Sequence, residues 1–227
     1  FRGGKWGYIN KKGTWIIQPQ FDEARDFHEG MAPVKIDGKW GYINKKGTWI
    51  IKPQFDETWD SHEGMATVKK NGKYGFVTKE GKIIEPQFDY AWYFQEGMAP
   101  VKKNGKYGYI NKKGTWIIKP QFDEAWDFHE GMARVEKNGK WGFVTKEGKI
   151  IKPQFDYARN FQEGMARVNI GGEVEYGSVE GGAWGFVTKG GKIIQPQFDK
   201  TYDFQEGMAR VKKNGKYGFV TKEGKII

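Results

Sequence analysis

Three histidines, His28, His62 and His129, stand at one recurring place, each just ahead of a Glu-Gly pair. Two stacked imidazoles are the raw material of a metal site. At the matching places elsewhere the chain has Gln95, Gln162 and Gln205, and an amide side chain is a poor metal ligand. A polar surface position is the reading. Carboxylates recur as well: Asp22-Glu23, Asp56-Glu57 and Asp123-Glu124, with Glu29, Glu63 and Glu130 nearby. Glycoside-type hydrolysis needs two carboxylates in contrasting environments. Here every repeat carries a similar set and none is set apart, so turn formation, capping or pairing with lysines is their expected work. No Ser/His/Asp arrangement and no phosphate-cradling Gly loop is found. The expectation is a non-catalytic chain with no metal and no cofactor. The cysteine count is 0, which excludes disulfides and thiolate metal sites.

Recognition chemistry is the better prospect. Trp15, Trp49 and Trp116 sit where other repeats have Lys82, Lys149, Lys192 and Lys225. A position that accepts either Trp or Lys reads as solvent-accessible. Trp59, Trp92 and Trp126 alternate with Arg25, Arg159 and Tyr202, a second exposed row. Exposed Trp stacks on sugars or anchors a protein partner. Lysines cluster at the hairpin ends, as in Lys102-Lys103, Lys106 and Lys112-Lys113. With a net charge of +10 and a pI near 9.4, they permit a nucleic-acid or other polyanion partner. They also solvate turns and protect sheet edges.

These residues are positioned by a repeat. The glycine of Lys-aromatic-Gly-aromatic-β-branched falls at Gly7, Gly41, Gly75, Gly108, Gly142, Gly185 and Gly218, in steps of 34, 34, 33, 34, 43 and 33 residues. The proline of Pro-Gln-Phe-Asp and the methionine of Glu-Gly-Met-Ala keep the same period. One unit reads as three strands. Strand a is 98–103, Asn104-Gly105 makes a two-residue hairpin, strand b is 106–111, and strand c is 115–122 after a turn closed by Gly114. The crossover 123–131 reads as one helical turn or as coil. The whole of 1–227 is thus one repeat domain with seven b–c hairpins and six complete three-stranded units.

Proline avoids interior ladder positions, and both outer strands accept it, as at Pro33, Pro100 and Pro120. Successive meanders are therefore expected to stack face to face about 10 Å apart rather than join into one sheet. The class is all-β: tandem three-stranded antiparallel meanders stacked like blades, as a propeller-like or open spiral repeat array. The first hairpin lacks strand a and nothing follows the last strand c, so an open spiral or a ring with one deficient blade fits better than a sealed ring. The bare face at each strand-b glycine is expected to admit a ring from the next unit, such as Trp126 or Phe128.

The motifs Trp-Gly with flanking aromatic and β-branched residues, Gly-Lys-Ile-Ile-x-Pro-Gln-Phe-Asp, and Glu-Gly-Met-Ala resemble the bacterial WG-repeat (KWG) family. The resemblance runs from Lys5 to Ile227. Tyr74, Tyr107 and Tyr217 replace its Trp in strand b. It implies a β-rich, non-catalytic repeat module, often attached to other domains or exported, and brings no catalytic residues. Ahead of the cytoplasm it puts an extracellular or envelope location. The hairpin insertion 169–182 is acidic and irregular, either a binding element or a tolerated extension. No leader opens the chain, and no stretch is apolar enough for a helical membrane span.

The expected function is a scaffold binding a macromolecular partner, foremost a protein, over an extended surface. Carbohydrate or cell-envelope binding through Trp15, Trp49 and Trp116 is one alternative; polyanion binding through the lysines is the other. No small-molecule substrate is expected.

Overall fold

A computed structural model describes residues 3–175 and 178–227, and all the regular structure in them is β-strand. The chain divides into two compact units, Phe1–Gly105 with Tyr109–Trp116, and Lys106–Gly108 with Ile117–Ile227. The first holds a hairpin of Trp6–Ile9 and Trp15–Phe21. Two four-stranded sheets follow, one of Glu23–Ala24, Met31–Ile36, Lys39–Asn44 and Trp49–Phe55, the other of Glu57–His62, Met65–Lys70, Lys73–Thr78 and Ile83–Phe88. The pair Tyr90–Ala91 and Met98–Lys103 comes next. The second unit holds one four-stranded sheet of Glu124–His129, Met132–Lys137, Lys140–Thr145 and Ile150–Phe155. Another contains Tyr157–Ala158, Met165–Glu175, Ser178–Thr188 and Ile193–Phe198, and Lys200–Thr201, Met208–Lys213 and Lys216–Thr221 form a three-stranded sheet.

Strands a, b and c lie where the sequence puts them. The crossover adds a fourth strand, d, antiparallel to strand a, in place of a helical turn or coil. Its register breaks between Thr58 and Ser61 opposite Thr67. Pro33 occupies the equivalent place in its own sheet, pairing with Tyr42. The N–H that Pro33 lacks would thus point at a bulge, so strand a tolerates proline although it is not an edge. The a–b turns are as expected: Asn71 and Gly72 have φ of 52° and 76°, the left-handed pair a tight hairpin requires.

The strand-b glycine has a different cause from the one expected. A Cβ on Gly75 would lie 2.5 Å from the Ile84 carbonyl oxygen and 2.7 Å from the Pro86 nitrogen; on Gly142 it would lie 2.5 Å from Ile151 oxygen. The close approach comes from strand c of the same sheet. Strand c bulges across strand b at its Ile-x-Pro step, where the ladder loses register between Ile84 and Phe88. At Gly75 and Gly142 the atoms nearest that face are backbone atoms of strand c rather than a ring of a neighbouring sheet.

The sheets are separate, and their facing sides are apolar. Met31, Tyr42, Ile51 and Phe55 meet Ala66, Val68 and Val77 of the next sheet. In the second unit Phe143, Ile151 and Phe155 meet Ala166, Val168 and Val187. Each fully buried Phe contributes about 2–3 kcal/mol, and a single sheet of this size has nothing else to cover it.

The recurrent glutamate before each d–a turn glycine is a clamp. Glu63, Glu130 and Glu163 adopt φ of 50–52°, a conformation costing a non-glycine residue about 1 kcal/mol. The Glu163 carboxylate accepts the Glu206 and Gly207 N–H groups at 2.8 and 2.9 Å. Glu130 does the same for Glu163 and Gly164 at 2.8 and 2.9 Å. Glu63 takes Glu96 and Gly97 at 2.6 and 2.8 Å. At these three places one repeat's turn is bolted to the next, and these carboxylates are spent on structure.

Candidate binding cleft

The residue before the strand-b glycine is always aromatic: Trp40, Tyr74, Trp141, Trp184 and Tyr217 among others. The β-pleat turns this ring away from the bulged strand c and towards the d strands. Strand d contributes a second row at Arg25, Trp59, Trp92, Trp126, Arg159 and Tyr202. Strand a contributes a third at Pro33, Thr67, Pro100, Arg134, Arg167 and Arg210. Where the three rows meet, the structure forms clefts.

In the first unit a cavity of about 280 Å³ is lined by Trp59, Asp60, His62, Thr67, Tyr74, Tyr90, Ala91, Trp92 and Tyr93. Trp59 stacks on Tyr74 with centroids 5.5 Å apart, and Tyr74 leans on Tyr90 at 5.2 Å. Tyr90 meets Trp92 edge-on at 5.3 Å, and His62 stacks on Tyr93 at 4.5 Å. Trp59, Trp92 and Tyr93 are 38%, 43% and 37% exposed, while Thr67 at 6% forms the floor. Asp60 brings a carboxylate to the rim.

In the second unit the equivalent cavity, about 450 Å³, is lined by His129, Glu130, Arg134, Tyr157, Arg159, Asn160, Phe161, Gln162 and Asp203. Here Trp126 stacks on Trp141 at 4.5 Å. The Arg134 guanidinium lies 5.2 Å from one ring and 5.1 Å from the other. Its Nη1 donates to the Ala158 carbonyl at 2.9 Å. Guanidiniums seat on strand-b rings elsewhere: Arg25 over Trp40 at 4.5 Å, Arg167 over Trp184 at 5.0 Å, Arg210 over Tyr217 at 5.4 Å. Burial pulls the Arg167 pKa down while Asp203, 3.3 Å away, pulls it back up.

The tryptophans singled out from sequence divide. Trp59 and Trp92 line the first cleft, and Trp126 takes part in the second unit's ring–guanidinium stack. Trp15, Trp49 and Trp116 are half-buried, and two of them close seams between sheets. Trp49 meets Phe21 edge-on at 6.1 Å, and Trp116 meets Phe88 at 5.7 Å. They do not present free platforms; where Lys replaces Trp, its aliphatic stem can cover the same apolar seam. Sequence reasoning passed over Tyr74, Tyr90, Tyr93, Thr67 and Arg134. The Pro/Thr/Arg series was legible as a series, but its meeting with the ring rows needed strand d.

Part of the lysine rows is engaged. Lys5, Lys39, Lys73, Lys106 and Lys140 pair with Asp22, Asp56, Asp89, Asp123 and Asp156. Lys112, Lys189 and Lys222 pair with the clamp residues Glu63, Glu130 and Glu163. His28 and His62 do come together, 6.2 Å between rings, but among the described residues no group of three or more His, Cys, Asp or Glu is placed to hold a metal. The insertion continues strands a and b as one long hairpin, pinned by buried Asn169, which accepts the Gly172 N–H at 3.0 Å; Tyr176 and Gly177 lie outside the described residues.

A family model described as WG containing repeat matches residues 6–40, 40–74, 74–107, 107–141, 141–173 and 184–217. The chain belongs to the WG-repeat family. Each match begins on a strand-b ring, from Trp6 through Trp40, Tyr74, Tyr107 and Trp141 to Trp184, so the WG-repeat period is anchored on the residues that build the clefts. A comparison with curated proteins finds no match. Solved structures similar to this WG-repeat chain include Kluyveromyces lactis Hsv2p, at 9% identity over 85% of this chain and 71% of that one, TM-score 0.39. A eukaryotic initiation factor matches at 10% identity over 88% and 62%, TM-score 0.44. The AfRom2 CNH domain matches at 10% identity over 87% and 80%, TM-score 0.34. At those scores the likenesses carry no argument. No helix of the described WG repeats is long and apolar enough to cross a membrane.

Proposed function

We propose that this WG-repeat chain is a non-catalytic binding module that holds a protein partner through its cleft rows. The observation that supports this reading is composition joined to place. The exposed groups converging on the clefts are Trp, Tyr and Arg, the three residue types that dominate protein-binding hot spots. In the first unit they surround a cavity that side chains of this chain leave open. The cavity is shallow and rimmed by rings, which suits a protruding side chain of a partner.

Polyanion binding finds less support, because the strand-b lysines Lys39, Lys73, Lys106 and Lys140 are paired with Asp56, Asp89, Asp123 and Asp156. Sugar stacking through Trp49 and Trp116 finds less as well, because those rings close seams. The test is retention of partners from cells that make the protein, compared between the native chain and a Trp59→Ala/Trp92→Ala variant of unchanged fold. Loss of a specific protein in the variant, insensitive to added polysaccharide, is expected. Unchanged retention, or release of everything by moderate salt, would overturn it.

A further inference from the structure

The two clefts differ in who supplies the cation. Trp40, Trp141, Trp184 and Tyr217 each carry a guanidinium of this chain within 5.4 Å of the ring centroid. Two of these guanidiniums also donate to a carbonyl at the same place on the next strand d. Arg25 Nη1 reaches the Thr58 oxygen at 2.7 Å, and Arg134 Nη1 reaches the Ala158 oxygen at 2.9 Å. Ring and carbonyl together make a fixed slot for one guanidinium.

The first cleft keeps this slot without its occupant. Tyr74 supplies the ring and Trp59 stacks beside it. The carbonyl at the matching place belongs to Ala91, which lines the cavity. Position 67, which corresponds to Arg134, is Thr, and position 59 is Trp rather than the Arg of position 25. Among the described residues no guanidinium lies over Tyr74. Lys69 is 5.3 Å from that ring and is held by Glu57 at 2.9 Å. A lysine there does not bar a guanidinium, since Trp40 carries Lys35 at 5.5 Å as well as Arg25.

We infer that the first cleft is a receptor for an arginine side chain presented by a partner, seated against Tyr74 and Trp59 with an N–H on the Ala91 carbonyl. This rests on the reading of a protein partner and names what that partner must present. Three physical terms favour the occupant. Ring faces attract cations, most strongly where water is excluded. A planar guanidinium stacks and donates in its plane at once. Asp60 on the rim adds an opposite charge, and Trp92, Tyr90 and Tyr93 wall the site.

The test uses the whole chain and three probes: N-acetylarginine amide, N-acetylphenylalanine amide and methyl β-glucoside. The readout is the indole N–H resonances of Trp59 and Trp92. Saturable shifts with the arginine probe, at about millimolar affinity, are expected. Thr67→Arg, which installs the missing guanidinium, is expected to weaken binding at least about tenfold, whereas Thr67→Val leaves it intact. Should Thr67→Arg not fold, Arg134→Ala provides the reciprocal test, opening the second cleft to the same probe. Equal or better binding of the phenylalanine probe overturns the arginine occupant while supporting a protein partner. Response to the glucoside alone overturns both. Silence from all three overturns the arginine receptor, and leaves partner retention by the Trp59→Ala/Trp92→Ala pair as the separate measure of the protein-partner reading. Arginine binding untouched by Thr67→Arg also overturns it.

Discussion

The ring pair Trp59–Tyr74 and the ring pair Trp126–Trp141 share a backbone plan, yet a guanidinium of this chain sits on the second pair and none among the described residues sits on the first. Several exchanges separate them. Thr67 stands for Arg134, Trp92 for Arg159 and Tyr93 for Asn160. In the second unit Arg134 ties the ring pair to the Ala158 carbonyl, so an aromatic surface becomes part of the fold. In the first unit the same rings are left for something else. On the proposed reading, a repeat protein uses one slot for stability in one copy and for recognition in another, because each copy contacts only its neighbours.

Four experiments sharpen or break that contrast. The largest effect is expected from what the clefts share. Gly75→Ala and Gly142→Ala each force a Cβ to 2.5 Å from a strand-c carbonyl oxygen, and each is expected to cost about 3 kcal/mol or more in urea unfolding. A large cost in one unit and none in the other would show that the two scaffolds are not equivalent.

Next comes Arg134→Ala, expected to cost about 2 kcal/mol through the lost charge-assisted hydrogen bond and cation–ring contacts. A neutral effect would mean that the second slot is not structural. Trp59→Ala is expected to cost only about 1 kcal/mol, since a half-exposed stacked ring is lost. It should leave the Trp126 and Trp141 resonances in place, and a global shift would erase the distinction between clefts.

Smallest per group is the response to acid, which should be the same in both units. Lys73 and Lys140, together with turn N–H groups, hold the Asp89 and Asp156 carboxyls below their usual range. The Gly207 and Glu206 N–H groups lower Glu163 likewise. At Glu63 burial pushes upward, but the Gly97 N–H, Lys112 and the Glu96 N–H together outweigh it. A lowered folded pKa means stability that is complete above the unfolded value and lost as pH falls through the folded one. Thermal midpoints should therefore hold steady from neutral pH to about 5 and fall below about 4. The fall should be shallower in Glu163→Gln, and a midpoint that rises on acidification would contradict the clamp.

Much of the fold was legible. Asn104-Gly105, the Gly of each b–c turn and the alternation along strands a and b are local signals; the sheets are separate as expected, but the proline premise failed for strand a, which is interior. The strand-b glycine was legible as a close approach, but its partner was misplaced. A bulge in strand c leaves no mark except the Ile-x-Pro step. Strand d was missed because Asp-Phe-His-Glu-Gly reads as turn, and only strand a of the same sheet gives its backbone a ladder. Trp59, Trp92 and Trp126 were singled out by their alternation with Arg; Trp59 and Trp92 are exposed and line the first cleft, and Trp126 is half-buried. Trp49 and Trp116 were judged exposed because Lys replaces them, which overlooks how well a lysine stem covers an apolar seam.

By itself the sequence determined the period, the hairpins, the all-β class and the absence of cysteine chemistry, because these rest on contacts within about one repeat length. Tertiary structure alone decided that Glu63 and Glu130 clamp the next turn, and that Arg25 reaches the Thr58 carbonyl beside Trp40 while no guanidinium among the described residues lies over Tyr74. Those facts belong to pairs of residues about 33 positions apart, and a side chain's partner at that distance is fixed only when one sheet settles against another.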